Sequence, residues 1–272
     1  MFNTIGIIAK PNDSRSSEKA LELAALLKAK GVKTVTNNAQ ISEQADLIIV
    51  VGGDGSLLNT ARTFVDDETP ILGINLGRLG FLADVPIDNM NAIVTEVLNG
   101  NFTQEERHLL SCKIEKDGEV LGEYLALNDA IVHRTGDLKM LDFDLFIEGT
   151  FVSNQRADGL IVTTPTGSTA YALSSGGPIM HPGVDAIGVV SICPHTMSHR
   201  PLLVPGDSEI MVHIKESGKG AIVSFDGQTS VAITMGQDIR IHQHKRVIHL
   251  LHPKNYDYFE IIRSKLHWGA KL

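Results

Sequence analysis

The sequence predicts an α/β N-terminal domain with a parallel sheet, followed by a C-terminal all-β domain and a helical tail. Its 272 residues, 43% hydrophobic and 21% charged, suffice for one large or two ordinary globular domains. Strands alternate with helices up to residue 98, and short β-like segments separated by glycine turns follow. The predicted domains are residues 1–103, residues 104–252 and a C-terminal helix within 253–272 that packs back on the first domain.

Apolar spacing defines the elements of the first domain. Residues 16–30 carry apolar side chains at helical spacing among charged ones, with Ser16 or Ser17 as the predicted N-cap and Gly31 as the stop. Further helices are predicted at 56–64 and 89–98, and strands at 4–9, 32–36, 45–51 and 70–74.

The second domain consists of short strands joined by tight turns. Strands are predicted at 111–116, 142–147, 210–213, 221–225 and 239–242. The turns between them are indicated by dipeptides that favour hairpin turns, Asp117-Gly118, Glu148-Gly149 and Asp226-Gly227. The tail is predicted to be helical over 255–265.

Composition argues against several functional classes. The formal net charge is −8, so neither nucleic acid nor an anionic membrane is expected as a partner, whereas a small nucleotide is compatible. Cys112 and Cys193 lack CxxC spacing, which argues against a disulfide framework or a zinc site, and Cys193 is interpreted as a buried structural residue. The chain shows neither a signal peptide nor an apolar run of membrane-spanning length, so a cytoplasmic location is predicted.

One glycine-rich turn organises the first domain. The apolar run 48–51 leads into Gly52, Gly53, Asp54, Gly55 and Ser56. A buried strand that ends in such a turn places it at the ligand-binding edge of an α/β sheet, where glycines let backbone N–H groups approach a ligand closely. Asp54 has two interpretations: a helix N-cap, or a carboxylate that takes a proton or holds a cation.

A second stretch combines many hydroxyl groups with an aromatic ring. Residues 160–163 read as a strand, Gly167 sets a turn and a helix is predicted to begin near Ser168, with free N–H groups for an anion. Tyr171 offers a flat face for an adenine ring. A threonine-rich helix cap is the simpler alternative, but the number of hydroxyls favours a nucleotide site: Thr164, Thr166, Ser168 and Thr169.

Three weaker signals remain. Asn128-Asp129 follows an apolar strand and by itself indicates an ordinary turn. His242 and His244 share one strand face and could bind a metal, although a solvated face is the favoured interpretation. Cys193-Pro194-His195 is not interpreted as a nucleophile with its base, because adjacent strand residues point to opposite faces.

In their order along the chain, these motifs resemble the NAD kinase family of the bacterial, ATP-dependent type. The matching stretches are Gly52–Ser56 as quoted, Asn128-Asp129, Thr164-Pro165-Thr166-Gly167-Ser168-Thr169-Ala170-Tyr171, Gly176-Gly177-Pro178, Asn75-Leu76-Gly77-Arg78-Leu79-Gly80-Phe81 and His252-Pro253. The family usually has Thr at the position of Ser56 and Asn-Glu at Asn128-Asp129. The shorter Asp129 side chain changes its reach but keeps its acceptor groups.

The resemblance implies an NAD kinase/diacylglycerol kinase-like fold and transfer of the γ-phosphate of ATP to the adenosine ribose 2′-hydroxyl of NAD, giving NADP and ADP. It also implies a divalent cation such as magnesium, held without dedicated protein ligands, and a homodimer or homotetramer with a site shared between subunits. Asp54 would be the general base. The implied phosphate loop is Gly52, Gly53, Gly55 and Ser56. The implied NAD-binding residues are Asp54, Gly55, Asn128, Asp129, Lys139, Arg156, Asp158, Thr166, Thr169, Ala170, Tyr171, Ala172, Leu173, Ser174 and Gln228, and Asp226 belongs to a turn that approaches the nucleotide.

Two other functions stay open from the residues alone. A lipid or sugar kinase could share the glycine-aspartate loop, although the acidic charge argues against a lipid and Tyr171 against a simple sugar phosphate. A non-catalytic NAD-sensing module would bind NAD without phosphate transfer, and the presence of Asp54 in an otherwise complete site argues against it.

Overall fold

The computed structural model describes residues 2–77, 80–136, 139–217 and 220–268. The chain divides into two compact units, one made of Met1–Glu106 with Ile248–Leu272 and the other of Arg107–Val247. The sequence predicts domain boundaries near residues 103 and 252, and these boundaries stay a prediction. Arg78 and Leu79 of the quoted motif, and residues 269–272 of the predicted tail, lie outside the described residues.

Helices alternate with strands in the first part of the chain, and most of the later elements are strands. The helices are α1 (Ser14–Ala29), α2 (Asn38–Gln44), α3 (Asp54–Phe64), α4 (Met90–Leu98), α5 (Tyr171–Ser174) and α6 (Tyr258–Leu266). The strands are β1 (Thr4–Ala9), β2 (Lys33–Val35), β3 (Leu47–Gly52), β4 (Ile71–Asn75), β5 (Val85–Pro86), β6 (Phe102–Lys116), β7 (Glu119–Ala126), β8 (Asp129–Arg134), β9 (Leu141–Ile147), β10 (Thr150–Ala157), β11 (Gly159–Thr163), β12 (Ala186–Ile192), β13 (Leu202–Pro205), β14 (Ile210–Glu216), β15 (Ala221–Phe225), β16 (Thr229–Ile233) and β17 (Asp238–Pro253).

The first unit is built on the parallel sheet that the sequence predicted. Its strand order is β2-β1-β3-β4, and Leu250 and Leu251 of β17 pair in parallel with β4 on the other side. Every residue of β3 is buried, as expected for a strand covered on both faces. Leu23 of α1 and Val94 of α4 belong to the same apolar core as this sheet. The carboxyl end of β3 therefore carries the glycine turn to the edge where α/β sheets bind ligands.

The second unit is antiparallel, which confirms the predicted β-rich region. One sheet has the order β13-β12-β11-β8-β15-β16, and a second contains β10, β9, β14 and the first part of β17. The two sheets share one apolar core, to which the first contributes Val132 and Phe225 and the second Phe143 and Val212. Buried positions alternate with partly buried ones along β9 and along most of β14.

The three dipeptides predicted to form hairpin turns adopt the expected backbone. In Asp226-Gly227, φ is +52° at Asp226 and +64° at Gly227, the pair of positive values that a type I′ turn requires. Asp117-Gly118 and Glu148-Gly149 show the same combination of signs. These turns join β6 to β7, β9 to β10 and β15 to β16.

The predicted cap of the first helix is wrong. Helix α1 begins at Ser14 because Asp13 is the N-cap, and the Asp13 carboxylate accepts the N–H of Ser16 at 3.0 Å. The Ser16 hydroxyl instead donates to the carbonyl of Val51 at 2.6 Å and accepts the N–H of Lys10 at 2.8 Å. The fully buried Ser16 thus ties the first turn of α1 to the end of β3.

Three further expectations differ from the structure. Helix α2, capped by the Asn37 side chain, follows β2 where the sequence suggested no element. The helix expected from Ser168 is a 3₁₀ turn, Thr166–Thr169, followed by the four residues of α5. Cys193 is exposed rather than buried, because it follows the last residue of β12 with a left-handed backbone (φ +44°). No described helix is long and apolar enough to cross a membrane.

Replacing Ser16 with Ala should lower the free energy of unfolding by about 1–3 kcal/mol, because it removes a buried hydroxyl that bridges two backbone groups. Urea denaturation at neutral pH measures this change. Ser17→Ala is the matched control, since Ser17 is exposed and should cost less than about 0.5 kcal/mol. Equal effects of the two substitutions would contradict the role assigned to Ser16.

Candidate functional site

The glycine turn places Asp54 at the start of a helix. Strand β3 ends at Gly52, Gly53 is the N-cap of α3 and Asp54 is the first helical residue. The interpretation of Asp54 as the N-cap is therefore wrong, since Gly53 has that position and makes no side-chain cap bond. An acidic side chain in the first turn is favoured by the helix dipole.

The Asp54 carboxylate is held by three consecutive backbone N–H groups. Oδ2 accepts the N–H of Phe81 at 2.9 Å, and Oδ1 accepts those of Leu82 at 3.1 Å and Ala83 at 2.9 Å. A carboxylate offers about four acceptor positions, two on each oxygen. Among the bonds of the described residues, Oδ1 therefore uses both of its positions, whereas Oδ2 keeps one that can accept a hydroxyl proton.

The loop that supplies these N–H groups is itself fixed. Asn75, at the end of β4, donates from Nδ2 to the carbonyl of Ala83 at 3.1 Å and accepts the N–H of Gly77 at 2.7 Å. The N–H of Gly80 donates to the same carbonyl of Ala83 at 3.1 Å. A Cβ atom at Gly80 would lie 1.9 Å from Oδ1 of Asp54, so only glycine lets the loop close around the carboxylate.

The other glycines of the turn differ in their surroundings. A Cβ atom at Gly52 would lie 2.5 Å from the Ser56 hydroxyl, so the absence of a side chain lets Ser56 fold back over the end of β3. A Cβ atom at Gly53 would meet no atom within 4 Å, and Gly55 is exposed. The backbone at Gly53 and Gly55 is thus accessible to a ligand.

In the second unit, a carboxylate organises the Asn128-Asp129 motif in a similar way. Asp226 accepts the N–H of Leu127 at 3.1 Å, of Asn128 at 2.7 Å and of Asp129 at 3.3 Å. Asp129 is buried, and its burial together with the charge of Asp226 raises its pKa to about 7. Asp129 is therefore a group whose charge changes near neutral pH.

The hydroxyl-rich turn is held together mainly by its own side chains. The Thr164 hydroxyl donates to the Leu127 carbonyl at 2.5 Å, and the Ser168 hydroxyl donates to the Pro165 carbonyl at 2.7 Å. The N–H of Ser168 donates to the Thr164 carbonyl at 3.1 Å, so this N–H group is engaged within the turn. The two hydroxyls serve the turn, as in the simpler alternative of a threonine-rich cap.

The remaining hydroxyls of the turn are also engaged. Thr166 accepts a bond from the buried Arg107 guanidinium at 3.2 Å, and Thr169 donates to the Thr166 carbonyl at 3.3 Å. Tyr171 differs from them, because its side chain is 47% exposed. Its ring is the part of this turn that is available to a planar ligand.

A cavity of about 390 Å³ lies beside Tyr171 within the second unit, a volume in the usual range of small-molecule sites. Asp158, Tyr171 and Arg134 contribute to its wall, and the Arg134 guanidinium donates to the Asp158 carboxylate at 2.6 Å. Sequence reasoning selected Asp158 and Tyr171 but missed Arg134. The signal that could have found it is its place on β8, five residues after Asp129. The other lining residues are Ile131, His133, Gly136, Ile192 and Ser224.

Several predicted NAD-binding residues lie apart from that cavity wall. Lys139 pairs with Glu216 on the surface, and the carbonyl of Arg156, whose side chain is exposed, accepts the N–H of His195. Ala172 is the buried residue of α5 and belongs to a small apolar cluster with Ile131, Ile161, Val190 and Ile192. Exposed or half-buried, and likewise not lining the cavity, are Asn128, Thr169, Ala170, Leu173, Ser174 and Gln228.

Metal-ligand geometry is not apparent in the part of the chain that the structure describes. No three His, Cys, Asp or Glu side chains of these residues come together as a metal site. His242 and His244 are half-buried on β17, with their Nδ1 atoms near the backbone carbonyls of Gln243 and Arg246.

Comparison with known proteins gives consistent similarities. Residues 33–102 match the family described as ATP-NAD kinase N-terminal domain, and residues 127–252 match ATP-NAD kinase C-terminal domain. The NAD kinase of Hydrogenovibrio crunogenus is 43% identical over all of both chains. That of Acinetobacter baylyi is 47% identical over 91% of this chain and 80% of its own.

Two solved structures share the fold. Yeast NADH kinase complexed with NADH superposes with a TM-score of 0.91 at 27% identity, covering 99% of this chain and 89% of its own. The NAD kinase from Archaeoglobus fulgidus in complex with ATP superposes with a TM-score of 0.79 at 28% identity, covering 97% and 98%. The α/β and antiparallel β architecture described above is thus that of known structures.

Gly80→Ala should destabilise the protein by roughly 2 kcal/mol or more, because the added methyl group overlaps the Asp54 carboxylate and forces the loop to move. Gly53→Ala is the matched control, since its methyl group enters open space at an extended backbone and should cost less than about 1 kcal/mol. Chemical denaturation of both variants tests the prediction. A Gly80→Ala protein as stable as Gly53→Ala would contradict the close approach.

Asp129→Asn should change how stability depends on pH. The folded protein holds a proton on Asp129 up to about pH 7, whereas the unfolded chain releases it near the ordinary value of 3.8. Wild-type stability therefore includes a contribution that is present at low pH and is lost as the pH rises through 7. The variant carries no ionisable group here, so its stability relative to wild type should increase from pH 4 to pH 8.

Each unit of difference between the folded and unfolded pKa of Asp129 corresponds to about 1.4 kcal/mol. The difference between 3.8 and about 7 therefore predicts a gain of a few kcal/mol for the variant. Urea denaturation of both proteins at several pH values measures it. Stability curves that run parallel between pH 4 and pH 8 would rule out the raised pKa of Asp129.

Proposed function

The chain belongs to the NAD kinase family and phosphorylates NAD to NADP with ATP as the donor, and we propose that Asp54 is the general base of this transfer. The single observation that carries the proposal is the geometry of the Asp54 carboxylate. Three N–H groups fix its two oxygens, and Oδ2 keeps one acceptor position. A base held in this way can receive a proton without first being ordered.

The acceptor hydroxyl needs a group that takes its proton. A ribose 2′-hydroxyl is a weak nucleophile at neutral pH, and a carboxylate beside it accepts its proton as the bond to phosphorus forms. Asp54 stands at the first turn of α3, where the N-terminal end of the helix dipole favours phosphate oxygens nearby. We place the transferred phosphate against the backbone of Gly53 and Gly55, with Gly52 and Ser56 shaping the turn.

The second unit supplies the proposed contacts to NAD. The cavity beside Tyr171 has room for a ring system, and the paired Arg134 and Asp158 give its wall polar groups. Asn128 and Asp129, fixed through Asp226, add a donor and acceptors at the start of β8. We keep as further NAD contacts Lys139, Arg156, Thr166, Thr169, Ala170, Ala172, Leu173, Ser174 and Gln228.

We propose that a divalent cation, with magnesium as the first choice, reaches the site bound to the phosphates of ATP. This choice rests on chemistry, because Mg²⁺ prefers oxygen ligands and is usually bound through substrate phosphates together with water. Asp54 would not be a dedicated ligand of the cation, because the one open acceptor position of Oδ2 is assigned to the ribose hydroxyl. The cation would neutralise phosphate charge during the transfer.

The proposal also covers assembly and location. We infer a homodimer or homotetramer in which part of the NAD site comes from a neighbouring subunit. Exposed apolar side chains on the β-rich unit, such as Leu121 and Phe151, are compatible with a subunit contact. A cytoplasmic location fits a chain that uses NAD and ATP.

NADH is the second candidate acceptor. The yeast structure with TM-score 0.91 is an NADH kinase complexed with NADH, so both redox forms of the dinucleotide are to be compared. The 2′-hydroxyl that accepts phosphate is the same in both.

Asp54→Asn should reduce turnover by at least about 100-fold while leaving NAD binding largely intact, because the amide cannot accept the proton. NADP formation from ATP, magnesium and NAD is followed with an NADP-specific dehydrogenase, with NADH and polyphosphate in parallel reactions. Asp88→Asn, an exposed carboxylate of the same unit, is the matched control and should keep full turnover.

An Asp54→Asn enzyme with wild-type turnover would refute Asp54 as the base. The lack of any NADP from the wild-type protein, with either phosphate donor, would refute the activity itself.

A further inference from the structure

We propose that His252 is a positioning residue for Asp54 and acts through Asp84 and the loop of residues 80–84. The inference deepens the proposed function, because it rests on Asp54 as the base. It concerns a residue at the end of β17, far from Asp54 in sequence and within the same compact unit.

His252 lies between two carboxylates in the interior of the first unit. It is 1% exposed, and its Nδ1 atom is 2.9 Å from Oδ2 of Asp84. Its Nε2 atom is 3.3 Å from Oε2 of Glu105, and its ring stacks on Tyr256 at 3.9 Å. Since a carboxylate accepts, Nδ1 is assigned as the donor toward Asp84.

Asp84 connects this histidine to the loop around Asp54. The preceding residue, Ala83, donates its N–H to Oδ1 of Asp54 at 2.9 Å, and its carbonyl accepts bonds from Asn75 and Gly80. Fixing the Asp84 side chain therefore fixes the residue next to the one that holds Asp54. Release of Asp84 would let the Ala83 N–H move, and with it the direction of the open position on Oδ2.

The polar groups of this cluster are costly to bury. Oδ1 of Asp84 is buried and has no hydrogen-bond partner among the described residues, a condition that lowers the free energy of unfolding. Apolar side chains of similar size would fill the same volume without this penalty. The presence of polar side chains here is therefore better explained by positioning of the loop than by a contribution to stability.

His249 provides a matched comparison on the same strand. Its Nδ1 atom is 3.0 Å from the Gln104 amide, and neither residue contacts the loop of residues 80–84 through a hydrogen bond of the described residues. The two histidines thus lie on the same strand and each has its own polar partner, but only the partner of His252 belongs to the loop around Asp54.

Three substitutions at His252 separate its nitrogen atoms from its ring. His252→Asn keeps a donor close to the position of Nδ1, toward Asp84. His252→Gln moves the donor to the position of Nε2, toward Glu105. His252→Phe keeps the ring against Tyr256 and has no donor.

Steady-state formation of NADP by the full-length variants tests the proposal. His252→Gln and His252→Phe should lower kcat by about 10- to 100-fold, with the KM values for NAD and ATP within about threefold of wild type, because a misplaced base slows the chemical step. His252→Asn should recover kcat to within about threefold of wild type, and His249→Phe should match wild type. Asp54→Asn combined with His252→Gln should be no slower than Asp54→Asn alone, since the two residues act as a unit.

Three outcomes would contradict the role proposed for His252, and a fourth concerns Asp54 alone. Wild-type kcat in His252→Gln, an equal loss in His252→Asn, or a further loss on the Asp54→Asn background would overturn the role of His252. If His252→Phe does not fold, the comparison of the Asn and Gln variants still decides. Full turnover in Asp54→Asn alone would instead overturn the assignment of Asp54 as the base.

Discussion

The structure of the first unit depends on one carboxylate that accepts three consecutive backbone N–H groups. A loop that follows β4 has no strand or helix to satisfy these donors, and Asp54 does so at 2.9–3.1 Å. This explains why a buried strand, a glycine turn and a second glycine at residue 80 must occur together. The strand delivers the carboxylate, the turn lets α3 begin at Asp54, and Gly80 leaves room for the loop to close.

The second unit uses the same physical device in another setting. Asp226 stands at a left-handed position of a hairpin turn and accepts the N–H groups of residues 127–129. Its negative charge adds to the effect of burial on Asp129, whose pKa rises to about 7. A half-buried carboxylate that satisfies backbone donors therefore also changes the chemistry of the neighbouring acid. Burial of Asp129 is the main cause of its raised pKa, and the carboxylate that orders Asn128-Asp129 adds to it.

Much of this fold was predictable from the sequence, because its signals are local. The apolar run of β3, the helical spacing of α1 and the dipeptides with positive φ each encode their own conformation. The expectations that differ from the structure concern side chains that can form hydrogen bonds with either local or distant partners. Ser16 looks like a cap but bonds to Val51, and Thr164 looks like a ligand contact but bonds to Leu127. Spacing along the chain does not contain these choices.

The residues of the candidate site likewise differ in whether local sequence patterns identify them. Asp54 and Tyr171 could be selected from motifs, since glycines and hydroxyls surround them in sequence. The partners of Arg134 and His252 could not be identified in this way, because they are distant in sequence: Asp84 and His252 are 168 residues apart, and no pattern links them. Motifs therefore indicate the groups proposed to contact the substrate, whereas the groups that hold them in place appear only once the chain is folded. A reactive carboxylate is determined by its donors as much as by its own position, so the residues that fix those donors belong to the site.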